Sequence, residues 1–276
     1  MPLSESEVKK IWQRLQDEIL GAHHQVNKRL CESQTPQAFL NYLSRHHLRT
    51  NHFEPVVTSC KLGQYGKTIV VGLLFVENGF LYPETAYYPM SLQRFGTRIS
   101  VDAADSYSSH YMERLIQRKE VTTLEALKKE VIYQRDRYSS AGFSENLGKL
   151  NVDTDFLVIF PDAIICCYGE ENDEGIAKVV RKTLITQDDF IGNQQKIIDY
   201  ILKQFGRDAC ILATHALPRS VKEAQNAVED TLKRISVVNH VEKIIEEPLR
   251  CTGFKSDKKL KKQFIKYLEH FDPIFR

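Results

Sequence analysis

The dipeptide Asn78-Gly79, placed between two strand-like runs, constrains the fold of this chain more than any other feature. The runs at 68–77 and 80–88 are rich in β-branched and aromatic side chains. Because Asn-Gly readily adopts the positive φ angles of a two-residue turn, the sequence predicts an antiparallel hairpin here. A strand-like run at 53–60 precedes the hairpin, so we expect an antiparallel meander over about 53–88.

A second group of strands is predicted later in the chain. Short apolar runs separated by turn residues occur at 155–160, 163–168 and 175–185. Runs of this length bounded by turn residues are typical of strands joined by short connections. The sequence therefore predicts a second antiparallel meander over about 155–185.

Two helices are predicted between the meanders, at about 109–119 and 123–137, from apolar residues at helical spacing. Thr122 and Glu125 have the spacing of a capping box, which indicates where the second helix begins. The stretch 95–109 is poor in large apolar residues and leads into the first of these helices.

Helical spacing also predicts helices toward both ends of the chain, at about 5–31, 36–47, 188–205, 218–235 and 256–270. We therefore expect an α+β fold with two antiparallel β-meanders, helices between them and a helical C-terminal third. There is no low-complexity linker, which favours a single composite domain over 1–276. Its expected sub-regions are 1–95, 96–190 and 191–276.

Composition restricts the class of protein. Hydrophobic residues make up 42% of the chain and charged residues 27%, as in ordinary globular proteins. The formal net charge of +2 gives no overall basic field, so a nucleic-acid partner would need a local patch. No run of eighteen apolar residues occurs and the first residues are polar, so we expect a cytoplasmic protein without a membrane partner.

The six cysteines do not have the spacing of a metal site. No C-x-x-C pair occurs, so we expect neither a structural zinc nor a cofactor. Cys166 and Cys167 are adjacent in a predicted strand, where neighbouring side chains point to opposite faces. We therefore expect both to be free thiols in a reducing compartment.

One helix combines basic residues with a histidine, in the segment SSHYMERLIQRK over 108–119. His110, Arg114 and Arg118 are four residues apart, so a helix places them in one stripe. Arginine binds phosphate oxygens through two parallel N–H donors, and histidine is the commonest general acid or base. This stripe is therefore a candidate catalytic face, although a solvated basic face on an amphipathic helix has the same pattern.

This helix, followed by a second helix and by strands ending in VVRKTLIT at 179–186, resembles RelE/BrnT-like bacterial toxin-type ribonuclease domains. The resemblance covers about 108–186. It implies metal-independent cleavage of RNA, in which the ribose 2′-hydroxyl attacks the adjacent phosphate. His110 would be the base or acid, and Arg114 and Arg118 would stabilise charge on phosphorus.

The same resemblance and chemistry suggest three further substrate contacts. They are Lys119, Lys182 as an additional cation, and Thr183 as a hydrogen-bond donor. The alternative function is a protein–protein interaction without catalysis. In that case the acidic loop at 170–174 or the basic C-terminal helix would bind a protein partner.

Overall fold

The structure, a computed structural model, describes residues 3–46, 53, 57–59, 67–91, 96, 99–101, 105–140, 155–171 and 177–235. In these ranges the helices are α1 (Glu5–Glu32), α2 (Pro36–Arg45), α3 (Ser109–Lys119), α4 (Leu124–Ser140), α5 (Gln194–Phe205) and α6 (221–235). The strands are β1 (Val57–Ser59), β2 (Thr68–Glu77), β3 (Phe80–Pro89), β4 (Ile99–Val101), β5 (Asp105–Tyr107), β6 (Asp155–Ile159), β7 (Ala163–Glu171), β8 (Ala177–Thr186) and β9 (Cys210–Leu212). The predicted α+β class is confirmed.

The strands form one sheet of nine strands, in the order β1-β2-β3-β5-β8-β7-β6-β9, with β4 also paired to β3. The first and second groups of predicted strands therefore belong to the same sheet. β5 joins them, because it pairs antiparallel with β3 and parallel with β8. Strands β4 and β5 lie in the stretch 95–109, for which no strand was predicted. β4 and β5 have three residues each, which is too short for a clear strand pattern in the sequence. These residues form strands because they pair with neighbouring strands of the sheet.

The turn between β2 and β3 is the one that the sequence predicts. Asn78 and Gly79 have φ angles of 50° and 81°, as a two-residue turn of this kind requires. The two strands pair in continuous antiparallel register from Glu77 opposite Phe80 to Thr68 opposite Pro89.

Side-chain caps fix the beginnings of α1 and α4, among other helices. In α1, the Ser4 hydroxyl accepts a hydrogen bond from the Glu7 amide, and the Glu7 carboxylate accepts one from the Ser4 amide. The cap predicted at Thr122 for α4 was placed one residue too early. The Thr123 hydroxyl accepts a hydrogen bond from the Ala126 amide, because the helix itself begins at Leu124.

Both faces of the β6–β9 part of the sheet are covered by helices. On one face, Phe156, Val158 and Ile165 belong to a core shared with α1, α3 and α4. On the other face, Leu157 and Ile164 belong to a core shared with α5 and α6. A third core packs the end of α1 and α2 against β2 and β3. Each strand thus places alternate residues in different cores, as the period of two requires.

The described part of the C-terminal region contains α5, α6 and one short strand. The run at 210–214, which the sequence alone leaves open as a strand or a helix segment, contains the strand Cys210–Leu212 beside β6. The predicted helix at 256–270 lies outside the described residues. None of the described helices has the length and apolar composition that crossing a membrane would require.

Candidate functional site

The amino terminus of α3, which carries His110, is held by β8. Ser108 is the N-cap, and its hydroxyl accepts a hydrogen bond from the Tyr111 amide at 3.1 Å. The same hydroxyl donates to the Lys182 carbonyl at 3.0 Å, and the Ser108 amide donates to the Arg181 carbonyl at 3.1 Å. These bonds fix the first turn of the helix against the sheet.

The β2–β3 turn holds the same helix end from another side. The Ser109 hydroxyl donates a 2.7 Å hydrogen bond to the Gly79 carbonyl. A Cβ atom on Gly79 would lie 2.8 Å from that hydroxyl oxygen, which is closer than Cβ atoms approach other atoms. Gly79 therefore provides both the positive φ of the turn and the space in which Ser109 docks, next to His110.

Helix α3 presents two different faces. Tyr111, Met112, Leu115 and Ile116 are buried in the core, which confirms the predicted apolar side. His110 is exposed and Arg114 is half-buried on the other side of the helix. Helical spacing thus gives the correct orientation of both residues.

A cleft of about 200 Å³ lies between α1 and α3 and includes His110 and Arg114. Its lining residues are Glu5, Val8 and Lys9 from α1 and His110, Glu113, Arg114 and Gln117 from α3. The lining therefore combines an imidazole, two carboxylates and two cations. This combination can exchange protons and bind an anion in the same space.

Most of the ionisable groups of this cleft have no polar contact with the part of the protein that the structure describes. Within the part of the chain that the structure describes, no hydrogen bond or ion pair involves the side chain of His110 or Glu113, nor of Glu5 or Lys9 on the opposite wall. Arg114 donates one hydrogen bond, from Nη1 to the Gln117 side-chain oxygen at 3.0 Å. Since Gln117 is neutral, the charge of Arg114 is not neutralised by that contact.

Arg118, the third residue of the predicted stripe, is bound by a carboxylate. Its Nη2 lies 2.5 Å from an oxygen of Asp189, in the 3-10 turn that follows β8. Asp189 also accepts hydrogen bonds from the amide and the hydroxyl of Thr186. Eight residues of α-helix place Arg118 about 12 Å along the axis from His110. It is not among the residues that line the cleft.

The three predicted substrate contacts also lie away from the cleft. Lys119 is exposed, with its ammonium group 6.0 Å from the centre of the Tyr133 ring. Lys182 forms a 2.7 Å ion pair with Asp155. Thr183 lies opposite Cys166, whose side chain packs against the core of α5 and α6, so Thr183 faces away from α3.

Beneath α3, on the side opposite the cleft, a buried arginine forms a second polar region that sequence reasoning missed. Arg181 has no exposed surface, and its Nη2 lies 2.7 Å from a carboxylate oxygen of Asp105. Its guanidinium carbon lies 4.2 Å from the centre of the Tyr107 ring. Burial raises the pKa of Tyr107 and Tyr111 far above the ordinary phenol value, while the nearby Arg181 acts in the opposite direction.

A sequence signal existed for some of these residues. Arg181 is two residues from Val179 in an apolar strand, so strand periodicity places both on one buried face. Glu113 follows His110 by one turn of the same helix and could have been found from helical spacing. Glu5 and Lys9 could not, because their position depends on how α1 packs against α3.

Other expectations concern parts of the chain with few described residues. The acidic loop at 170–174 lies largely, and the basic C-terminal helix entirely, outside the described ranges. Cys31, Cys166, Cys167 and Cys210 are free thiols. Within the described ranges, no three His, Cys, Asp or Glu side chains are close enough together to hold a metal ion. The expected lack of zinc stays a prediction, which elemental analysis of purified protein would test.

No protein family, no curated protein and no solved structure matches this chain.

Proposed function

We propose that this protein binds RNA and cleaves it without a metal ion, at the cleft between α1 and α3. One observation carries the proposal. His110 and Arg114 line the same cleft one helical turn apart, and neither is neutralised by a charged partner there. An imidazole can exchange a proton with a reacting oxygen, and a neighbouring guanidinium can stabilise charge on the phosphate.

The reaction begins with the ribose 2′-hydroxyl, which loses its proton as its oxygen attacks the adjacent phosphorus. A bond forms between O2′ and phosphorus, and the bond from phosphorus to the next nucleotide's 5′ oxygen breaks. The leaving oxygen takes up a proton, so the products are a 2′,3′-cyclic phosphate and a 5′-hydroxyl. His110 exchanges one of these two protons, and Arg114 stabilises the charge on the phosphorane-like transition state.

The charge of the cleft sets the expected strength of binding. Lys9 and Arg114 contribute two cations, while Glu5 and Glu113 contribute two carboxylates. A neutral balance gives no long-range attraction to a nucleic acid, so affinity depends on one or two direct phosphate contacts. For single-stranded RNA, the logarithm of the binding constant would then fall with the logarithm of salt concentration with a slope of about −0.7 to −1.4.

The resemblance of 108–186 to RelE/BrnT-like toxin-type ribonucleases is part of this proposal, but fewer residues are assigned to the site. His110 and Arg114 remain at the site, whereas Arg118 and Lys182 are bound to Asp189 and Asp155. As part of the same proposal, the protein is a cytoplasmic bacterial toxin-like nuclease.

The test is incubation of purified protein with total RNA in EDTA, with analysis of the ends that cleavage leaves. Wild type is expected to produce 2′,3′-cyclic phosphate ends, and His110→Ala to be at least about 100-fold slower. His24→Ala is the matched control, because His24 is also an exposed histidine on a helix but lies outside the cleft. Intact RNA after prolonged incubation with wild type, or equal cleavage by His110→Ala, would contradict the proposal.

A further inference from the structure

The reaction proposed above needs two proton transfers, and the cleft offers few groups that can perform the second. Near neutral pH, lysine and arginine side chains stay protonated and glutamine does not titrate. Besides His110, the lining residues that can exchange a proton are Glu5 and Glu113. The second group is therefore one of two glutamates.

Glu113 is better placed than Glu5. It follows His110 by three residues on α3, which makes the two side chains neighbours on the helix surface, with Cβ atoms about 5–6 Å apart. Helix α3 is held by β8 and by the Gly79 turn, so their separation is fixed. Glu5 is exposed in the first turn of α1, where its position relative to His110 depends on the packing of two helices.

The contacts of Glu113 also differ from those of other acidic residues around α3. Asp105 and Asp189 each bind an arginine, and Glu130 accepts a hydrogen bond from Gln134. Glu113 is half-buried, yet its carboxylate has no hydrogen bond or ion pair in the described part of the chain. Within the described part of the chain, the Glu113 carboxylate is therefore available to a ligand in the cleft.

We propose that Glu113 is the general base of the reaction and that His110 is the general acid, an inference that rests on the proposed function. The ionised Glu113 carboxylate takes the proton from the 2′-hydroxyl while O2′ bonds to phosphorus. Protonated His110 gives its proton to the departing 5′ oxygen, and Arg114 holds the phosphate oxygens between them. One proton enters the protein at Glu113 and one leaves at His110, so the catalytic groups return to their starting state after proton exchange with water.

The test compares wild type, Glu113→Gln and Glu120→Gln in single-turnover cleavage of a short RNA across pH 4 to 9. Binding of the 2′-deoxy version of the same strand, which cannot be cleaved by this route, is measured in parallel. Glu113→Gln is expected to cleave at least about 100-fold more slowly and to bind the 2′-deoxy strand as tightly as wild type or more tightly. In Glu113→Gln, the fall of the cleavage rate toward acidic pH is expected to disappear. Glu120→Gln, the matched control, changes an exposed carboxylate at the end of α3 outside the cleft, so it is expected to stay within about threefold of wild type.

The outcomes separate this inference from the function on which it rests. If wild type cleaves RNA and depends on His110, but Glu113→Gln cleaves at the wild-type rate with the same pH profile, only the role of Glu113 is wrong. If wild type neither binds nor cleaves RNA, both proposals fail. Should Glu113→Gln melt at a lower temperature than wild type, Glu113→Asp decides the question. It keeps the carboxylate, so it is expected to restore part of the rate, and no restoration would overturn the inference.

Discussion

Arg114 and Arg118 are one helical turn apart on the same face of α3, yet their side chains have different partners. Arg114 lines the cleft and donates a hydrogen bond to the neutral Gln117. Arg118 is bound to Asp189, which is itself held by Thr186. Equal spacing on a helix therefore does not make two arginines equally available to a ligand. The position of a carboxylate in a distant segment decides which of them is available.

The same contrast holds for the two polar regions on either side of α3. In the cleft, His110 and Glu113 have no polar contact with the described part of the protein. Beneath the helix, Arg181 is fully buried and bound to Asp105. We therefore expect substitutions around Arg181 to lower stability and, under the proposed function, substitutions in the cleft to lower RNA cleavage.

The largest loss of stability is expected from Asp105→Asn, which removes the carboxylate that binds the buried Arg181. Breaking a buried ion pair by changing one partner costs about 3–5 kcal/mol. We expect about 3 kcal/mol here, because the Asp105 side chain is 22% exposed and the solvent weakens the pair. Urea denaturation measures the change. A loss of folding stability below about 1 kcal/mol would show that the Asp105–Arg181 pair contributes little to the fold. The proposed difference between this region and the cleft would then be wrong.

Gly79→Ala is expected to have the next largest effect, because it affects the turn and its contact with α3 together. A left-handed backbone costs a non-glycine residue about 1–2 kcal/mol, and contact between the new Cβ and Ser109 adds to that cost. Gly206→Ala is the matched control, since Gly206 also has a positive φ of 62° but no neighbouring atom in the way. Thermal melts that show equal losses for both variants would mean that the turn does not hold the first turn of α3.

Arg118→Ala is expected to have a smaller effect, about 0.5–1 kcal/mol of folding stability, because its ion pair with Asp189 is partly exposed to solvent. If Arg118 contributes only to the architecture, its removal leaves RNA cleavage within about threefold of wild type. A large loss of cleavage without a loss of stability would show that Arg118 belongs to the site. Arg114 and Arg118 would then not differ in function.

Local signals in the sequence were sufficient for the parts of the fold that local chemistry determines. Asn78-Gly79 specifies its own turn, and the apolar side of α3 follows from the spacing of Met112, Leu115 and Ile116. The N-cap of α4 was missed by one residue, because Thr122 and Thr123 are both good capping residues. Strand β5 was missed because its three residues become a strand through pairing with β8, more than seventy positions later.

The sequence also predicts only part of the candidate site, because some of its contacts join segments that are far apart in the chain. The sequence places His110 and Arg114 on one face, because both belong to one helix. It cannot show that Glu5 and Lys9 form the opposite wall, or that Asp189 binds Arg118, because these contacts join segments far apart in the chain. Lys182 and Thr183 were assigned to the site from a resemblance in layout, but Lys182 is bound to Asp155 and the strand register places Thr183 on the other face of the sheet.

The most direct test is the affinity of Arg114→Ala for a short single-stranded RNA made uncleavable by 2′-deoxy substitution, measured by fluorescence anisotropy at low salt. Loss of a charge-assisted contact with phosphate costs about 1.5–3 kcal/mol, so we expect affinity to fall roughly 10- to 150-fold. Stability is expected to change by less than about 0.5 kcal/mol, because the side chain is only half-buried and its hydrogen bond is to the neutral Gln117 on the same helix. Arg118→Ala, measured alongside, is expected to bind like wild type. Unchanged affinity in Arg114→Ala, or loss of stability without detectable binding by wild type, would contradict the assignment of this cleft to RNA.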